Sequence, residues 1–310
     1  MLIESKIYNS KTAYTLIELS IVISIIAILL TGAIGISVSL INVSKKDITI
    51  NKIDTLYGAI GKFIMIYKRL PCPASLNLLS SDPQFGIERV SASGGCQSSP
   101  SNGVYANDNI YYGMLPVKSL GLSLEMSQDE FGGKYSYIID HRFANQYLEV
   151  PDFTKSSFGT IENLTSINVS ERILSANLRV VTDQAILLII SHGQNKFGAF
   201  NYNSLIQNTN SLDSDEVSNS IASGVFDNIF IVNSFNNQTF DDIVFYKTRN
   251  QIVDDHGLYN IIACKQDSTF TNPIYYGHTT YLQQCSTTYK RIPEAYCDKL
   301  GRLVIMNKCP

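Results

Sequence analysis

Residues 14–41, YTLIELSIVISIIAILLTGAIGISVSLI, form an apolar run with one charge, Glu18, behind a polar leader of thirteen residues. At a helical rise of about 1.5 Å the run reaches roughly 42 Å, more than the ~30 Å hydrocarbon core of a bilayer. It predicts a helix able to span a membrane. An acid inside such a helix costs a few kcal/mol, which makes Glu18 a candidate functional residue in need of a partner. Further on, Ile50, Ile53, Leu56, Tyr57, Ile60, Phe63, Ile64 and Tyr67 recur at three- and four-residue steps, one apolar face of an amphipathic helix. No proline occurs between 14 and 70, so the pattern predicts a single helix from about Tyr14 to Lys68. Gly58 and Gly61 within it each cost about 1 kcal/mol against Ala, and they predict the close crossing of a strand.

Pro71 and Pro73 end the helix. Residues 75–110 read as loop, rich in Ser, Gly and Asn, and 113–122 as a compact apolar turn. Residues 134–138 alternate as a strand does. Residues 185–191 are continuously apolar, the mark of a central buried strand. Residues 200–220 are polar and loop-like, and 225–233 and 239–247 read as two strands joined in a hairpin at Asn236-Asn237. The predicted class is α+β: a long N-terminal helix on a mainly antiparallel β-sheet head with disulfide-stapled loops. The boundaries are a leader at 1–13, an apolar helix at 14–41, its amphipathic continuation at 42–68, a head at 69–253 and a cysteine-rich extension at 254–310.

The chain has 310 residues and a net charge of −3, or −4 without the leader and its Lys6, Lys11 and Glu4. No basic patch of the kind that binds nucleic acid is visible. Lys6 and Lys11 before the apolar run are balanced by Lys45 and Lys46 after it, so counting positive charges leaves the orientation open. The cysteines decide it. All six, Cys72, Cys96, Cys264, Cys285, Cys297 and Cys309, follow the run, which places the head in an oxidising compartment. Cys72 with Cys96 would close a Gly/Ser/Pro-rich loop. The other four allow three pairings, with 264–285 and 297–309 the first choice.

Little points to catalysis or to a metal. There is no C-x-x-C, G-x-S-x-G or phosphate-binding glycine loop. Ser191 and His192 are sequence neighbours, which is not how a triad is recognised, and His141, His256 and His278 are scattered. The expectation is a head without enzymatic activity.

The leader supplies the specific signal. Lys11-Thr12-Ala13 followed by Tyr14-Thr15-Leu16-Ile17-Glu18-Leu19 resembles the prepilin signal of type IV pilins and type II secretion pseudopilins. The resemblance implies a membrane peptidase that cuts between Ala13 and Tyr14, N-methylation of Tyr14, and an assembly role for Glu18, whose partner is the new Tyr14 amine of a neighbouring subunit. The family prefers Gly before the cut and Phe after it, where this chain has Ala13 and Tyr14. Its helix also commonly carries a proline.

The segments Leu70-Pro71-Cys72-Pro73, Gly113 to Leu122 and Asp129 to Tyr137, with Ile190 to Asn195 and Phe240 to Val244, resemble a pilin-like subgroup with large heads. Together these likenesses imply a minor or specialised subunit of a type IV pilus or type II secretion-type filament. It would be held in the bacterial inner membrane as a single pass with its head in the periplasm. Its expected partners are other pilin or pseudopilin subunits, the prepilin peptidase, the inner-membrane assembly platform and membrane lipid. Nucleic acid enters only in a DNA-uptake role. The alternatives are a pseudopilin moving substrates across the outer membrane, an adhesin, and an uncleaved anchor carrying a periplasmic binding domain. Major pseudopilins bind calcium in a C-terminal loop, and Asp213, Asp215 and Glu216 are the nearest counterpart here. They read as a solvated acidic turn, and no cofactor is expected.

Overall fold

The computed structural model describes residues 15–92, 94–107, 110–144, 167–174, 177–209, 213–221, 226–234, 239–258, 279–281, 294–298 and 302–306. Contacts divide the chain into two compact units, 1–47 and 48–310. One helix, α1 (Leu16–Tyr67), contributes to both. Its first half exposes its apolar side chains: Leu16, Ile17, Ile23, Ile28 and Leu29 are each more than half accessible. The side chains of residues 30–39, the centre of the apolar run, lie outside the described ones. Among the described residues, no helix is long and apolar enough to cross a membrane.

In the second unit, α1 buries Ile53, Leu56, Tyr57, Ile60, Phe63 and Ile64, the face that the three- and four-residue spacing predicts. The stripe is shorter than the pattern: Ile50 and Tyr67 are exposed. The helix stops when Lys68 takes a left-handed conformation (φ 58°), three residues ahead of Pro71. Arg69 then anchors the exit. Its guanidinium donates to both carboxylate oxygens of Glu88 at 2.9 and 3.0 Å and lies over the Phe63 ring, and Glu88 also accepts from the Cys72 amide. Beside it, Cys72 and Cys96 form the expected disulfide, with Cα atoms 5.3 Å apart. Cys297, the other described cysteine, is also in a disulfide. The remaining three cysteines lie outside the described residues.

The head is a seven-stranded sheet. β1 (Tyr105–Ala106), β2 (Ile110–Met114), β3 (Ser136–Asp140), β4 (Ile167–Leu174), β5 (Asn177–Ser191) and β6 (Ile229–Ser234) run in the order β1-β2-β3-β5-β4-β6, and β7 (Ile243–Thr248) joins β5. A short helix, α2 (Ser214–Ser218), precedes β6, and α3 (Arg249–His256) follows β7. Near the C-terminus, β8 (Thr279–Tyr281), β9 (Glu294–Cys297) and β10 (Leu303–Met306) form a separate antiparallel sheet.

All pairings in the main sheet are antiparallel except β4 with β6, which is parallel. This corrects the predicted hairpin: β6 pairs with β4 and β7 with β5, and among the described residues the two do not pair with each other. β6 is drawn away by Asn219, whose amide accepts from Ile231 N and donates to Ile231 O at 2.7 and 2.8 Å. A side chain standing in as a strand neighbour is not visible in a local turn signal.

The apolar run of β5 is explained by cover on both faces. Ile186, Leu187 and Ile189 share one core with α1, α3, Tyr135, Tyr137 and Ile139. Leu188 and Ile190 share the other with Tyr112, Ile138, Phe200 and Phe230. Gly61 lets α3 approach: an added Cβ would stand 2.3 Å from the His256 ring, which packs at a tilt against Tyr57 with 4.5 Å between centroids. The crossing element is thus a helix rather than a strand, and Gly58 has nothing within 4 Å. α3 begins with a capping box, Thr248 with Gln251, and ends at left-handed Gly257. Lys134 is 1% exposed, and its ammonium donates to the carbonyls of Leu76, Leu78 and Ser204. Burial pushes it down to about 8.

Gly61→Ala should therefore destabilise the head by about 1–3 kcal/mol through overpacking. Gly58→Ala should stabilise it by up to about 1 kcal/mol; urea midpoints of the detergent-solubilised chain check both. Lys134 releases its proton near pH 8 when folded, and near 10.5 when unfolded. Between these values the unfolded state binds more protons, so stability rises with pH. Above about 10 the rise ends, because burial pushes the phenols of Tyr112, Tyr135 and Tyr137 up. Unfolding of wild type and Lys134→Met at pH 7.5 and 9.5 should show this rise in wild type alone.

Candidate functional site

At the start of α1, Thr15 and Glu18 satisfy each other. The Glu18 carboxylate accepts from the Thr15 backbone N–H at 2.9 Å and from its hydroxyl at 3.1 Å, and the Thr15 hydroxyl accepts from the Glu18 N–H at 3.3 Å. This is a capping box, in which the threonine opens the helix and the acid three residues on closes the loop. Within the next two turns, the Ser20 and Ser24 hydroxyls donate to the carbonyls of Ile17 and Ser20, each at 2.8 Å. In the stretch before residue 30 these polar side chains are turned back onto their own helix while the apolar ones face outward. Ala13 and Tyr14, the predicted cleavage pair, lie outside the described residues.

A second concentration of polar groups runs through the middle of the head. The Tyr112 hydroxyl donates to Ser136 Oγ at 2.8 Å. Ser136 Oγ lies 2.8 Å from His192 Nε2, and His192 Nδ1 is 3.5 Å from Asp242 Oδ1. Asp242 Oδ2 accepts from Asn219, the residue that holds β6. Next to it, Ser191 donates to Asp129 at 2.6 Å. Burial pushes the Asp129 carboxyl up, against the donors Ser191, Gly133 and Phe131.

The order Ser136, His192, Asp242 is that of a nucleophilic triad. Its accessibility is not, since Ser136 is 2% exposed and already receives the Tyr112 phenol. The chain of contacts ties β2, β3, the turn after β5, α2 and the approach to β7 together. In the sequence, Ile190 to Asn195 and Phe240 to Val244 stand out as separate segments with nothing local to connect them. Tyr112 falls between the predicted loop and the predicted turn and Ser136 inside the predicted strand, and only the register of β2 on β3, with Met114 opposite Ser136, brings them into line.

Asp213, Asp215 and Glu216 are not the solvated acidic turn expected, since all three are buried, each with its own partner. Asp213 caps α2, accepting from Asp215 N, and also accepts from Thr239. Asp215 is paired with Arg172, whose Nε lies 2.7 Å from both carboxylate oxygens. Glu216 accepts from the Asn195 amide at 2.5 Å. The three do not converge on one point. Glu216 instead groups with Asp241 and Asp242, one oxygen of each lying within 4.8 Å of the others. Asp241 holds the turn after β5 by accepting from the N–H groups of Gln194 (2.7 Å) and Asn195 (2.9 Å). Burial, with the Asp242 carboxylate beside it, pushes the Asp241 carboxyl up.

The comparison that bears on function lies at the other end of the chain. Residues 8–34 match the prokaryotic N-terminal methylation motif. The chain carries the prepilin-type signal of type IV pilins and pseudopilins. No curated protein and no solved structure matches the chain. The signal therefore covers the start of α1, including the Thr15–Glu18 box, and the head is read from its own residues.

Asp241→Ala would leave the Gln194 and Asn195 amides without their acceptor. A cost of about 1–3 kcal/mol is expected, with hydrogen exchange accelerated at those two amides while the amides of β3 keep their protection.

Proposed function

We propose that the chain is a pilin-like subunit, minor or specialised, of a type IV pilus or type II secretion-type filament. It is stored in the inner membrane with its head in the periplasm and assembled through α1. The observation that carries this reading is the methylation motif at residues 8–34, heading a helix whose apolar side chains face outward and whose hydroxyls bond to their own backbone. Such a surface is suited to lipid or to neighbouring helices. The run at 14–41 has the length and composition to span a bilayer.

In this reading the prepilin peptidase cuts between Ala13 and Tyr14, and the new amine is methylated. The Glu18 carboxylate, held by Thr15 before assembly, is offered to the Tyr14 amine of the adjacent subunit. The acid is capped while the subunit waits and paired with a cation when it packs. Contacts between neighbouring helices are heterologous and do not close, so growth continues. The partners are other pilin-type subunits, the peptidase, the assembly platform and lipid. The head works by docking, without catalysis and without a cofactor; a hard cation, where tested, is sought at Glu216, Asp241 and Asp242 rather than at Asp213 and Asp215. The oxidised Cys72–Cys96 pair supports a periplasmic head.

Protein recovered from membranes should begin at N-methylated Tyr14 when the prepilin peptidase is present and at Met1 when it is absent. Glu18→Ala should remain in the membrane but fall at least tenfold in filaments. A chain that begins at Met1 in both strains instead makes this an uncleaved anchor with a periplasmic domain. Unchanged incorporation of Glu18→Ala removes the role given to that residue.

A further inference from the structure

Three carboxylates meet between α2 and the approach to β7. One oxygen each of Glu216, Asp241 and Asp242 lies within 4.8 Å of the others. Amide donors hold them: the Gln194 and Asn195 N–H groups on Asp241 Oδ2, Asn219 on Asp242 Oδ2, and the Asn195 side chain on Glu216 Oε1. Asp241 Oδ1 and Asp242 Oδ1 are buried and receive no hydrogen bond. Among the described residues neither aspartate pairs with a lysine or an arginine. Buried charge without compensation is costly. A second sign is independent of the acids. His192 is 0% exposed, its Nδ1 makes no hydrogen bond, and that nitrogen stands 3.5 Å from Asp242 Oδ1. Its Nε2 lies 2.8 Å from Ser136 Oγ. When Nε2 donates there, Nδ1 keeps its lone pair and faces a carboxylate oxygen with no proton between them.

We infer that this cluster binds one divalent transition-metal ion of the zinc class, through Glu216, Asp241, Asp242 and His192 Nδ1. The spacing fits. Two donors on a tetrahedral zinc ion at about 2.0–2.1 Å stand about 3.4 Å apart, close to the 3.5 Å between Nδ1 and Asp242 Oδ1. Binding would draw the three carboxylate oxygens, now within 4.8 Å of one another, toward the same separation. The nitrogen selects the metal, since calcium and magnesium take oxygen ligands whereas imidazole suits zinc. The remaining contacts are of the kind that orient metal ligands: a hydrogen bond on the second ring nitrogen and amide donors on the carboxylates. Burial and the neighbouring Asp242 push the Asp241 carboxyl up, and a cation between the two acids reverses that push. The ion is structural. It fastens α2, the turn after β5 and the approach to β7, and takes no part in chemistry.

The inference rests on the head alone and holds whether or not the chain enters a filament, so its test is separate from that of assembly. The full-length, detergent-solubilised chain is stripped with EDTA, its disulfides kept oxidised, and titrated by calorimetry. It should bind one equivalent of zinc chloride, at least a hundredfold more tightly than calcium chloride. His192→Gln and Asp242→Asn should each weaken zinc binding at least tenfold. His141→Gln, at a histidine whose side chain is 34% exposed, should leave it unchanged. If the first two variants fail to fold, X-ray absorption at the zinc edge of the loaded His141→Gln chain decides. An imidazole in the metal shell upholds the site, and an all-oxygen shell overturns it. Absence of zinc binding, calcium held as tightly as zinc, unchanged affinity in His192→Gln, or an equal loss in His141→Gln would also overturn it.

Discussion

Everything in the head depends on the burial of one helical stripe against one strand. Ile53, Leu56, Ile60 and Ile64 of α1 share a core with Tyr137, Ile139, Leu187 and Ile189, all essentially inaccessible to water. With that face of β5 closed by helix and the other by Phe200, Phe230 and Tyr112, residues 185–191 of the strand have no face left for water, and they read as continuously apolar. Sealing both faces imposes a shape constraint as well as a hydrophobic gain. α3 must lie close to α1, and Gly61 is the position where a side chain would collide with it. Close-packed interiors transmit such constraints because they have few voids in which to absorb them.

The same helix meets the opposite problem in its first half. There the described apolar side chains are exposed, and the polar groups are dealt with locally: two serines bond to helix carbonyls and Thr15 holds Glu18. A surface of this kind is costly in water and suited to lipid or to copies of itself. The capping box gives the Glu18 carboxylate a defined set of donors, which the proposed assembly would exchange for an amine. A carboxylate satisfied by weak, exposed donors is readily handed to a stronger cationic one, and a charge-assisted bond of that sort is stronger than the neutral ones it replaces.

The interior polar chain from Tyr112 through Ser136 and His192 to Asp242 and Asn219 is a different kind of solution. Buried polar groups are costly unless they are bonded. Here they lie where strand order departs from chain order, at the turn after β5 and the entries to β6 and β7. Asn219 takes both backbone groups of Ile231, and Asp241 takes two consecutive amides of the turn. Backbone that leaves a regular ladder must find partners, and these side chains supply them. The buried carboxylates are thereby part of what makes a mixed pairing, with one parallel step, possible.

By itself the sequence determined the long helix, its change from an all-round apolar surface to a one-sided stripe, the central buried strand, the Cys72–Cys96 link and the prepilin-type signal. Each is carried by neighbours in the chain: periodicity, an uninterrupted apolar run, a short cysteine-closed loop, or a contiguous motif. Tertiary structure alone decided that the strands around Asn236-Asn237 part company, and that a helix rather than a strand crosses at Gly61. It also decided that Asp215 belongs to Arg172 while Glu216 faces Asp241 and Asp242, and that His192 stands between Ser136 and Asp242. Those outcomes join residues tens of positions apart, through registers and side-chain hydrogen bonds that leave no local period. Burial rewards a pattern that one segment can display, whereas a hydrogen bond needs a particular partner, and only the folded chain brings that partner within reach.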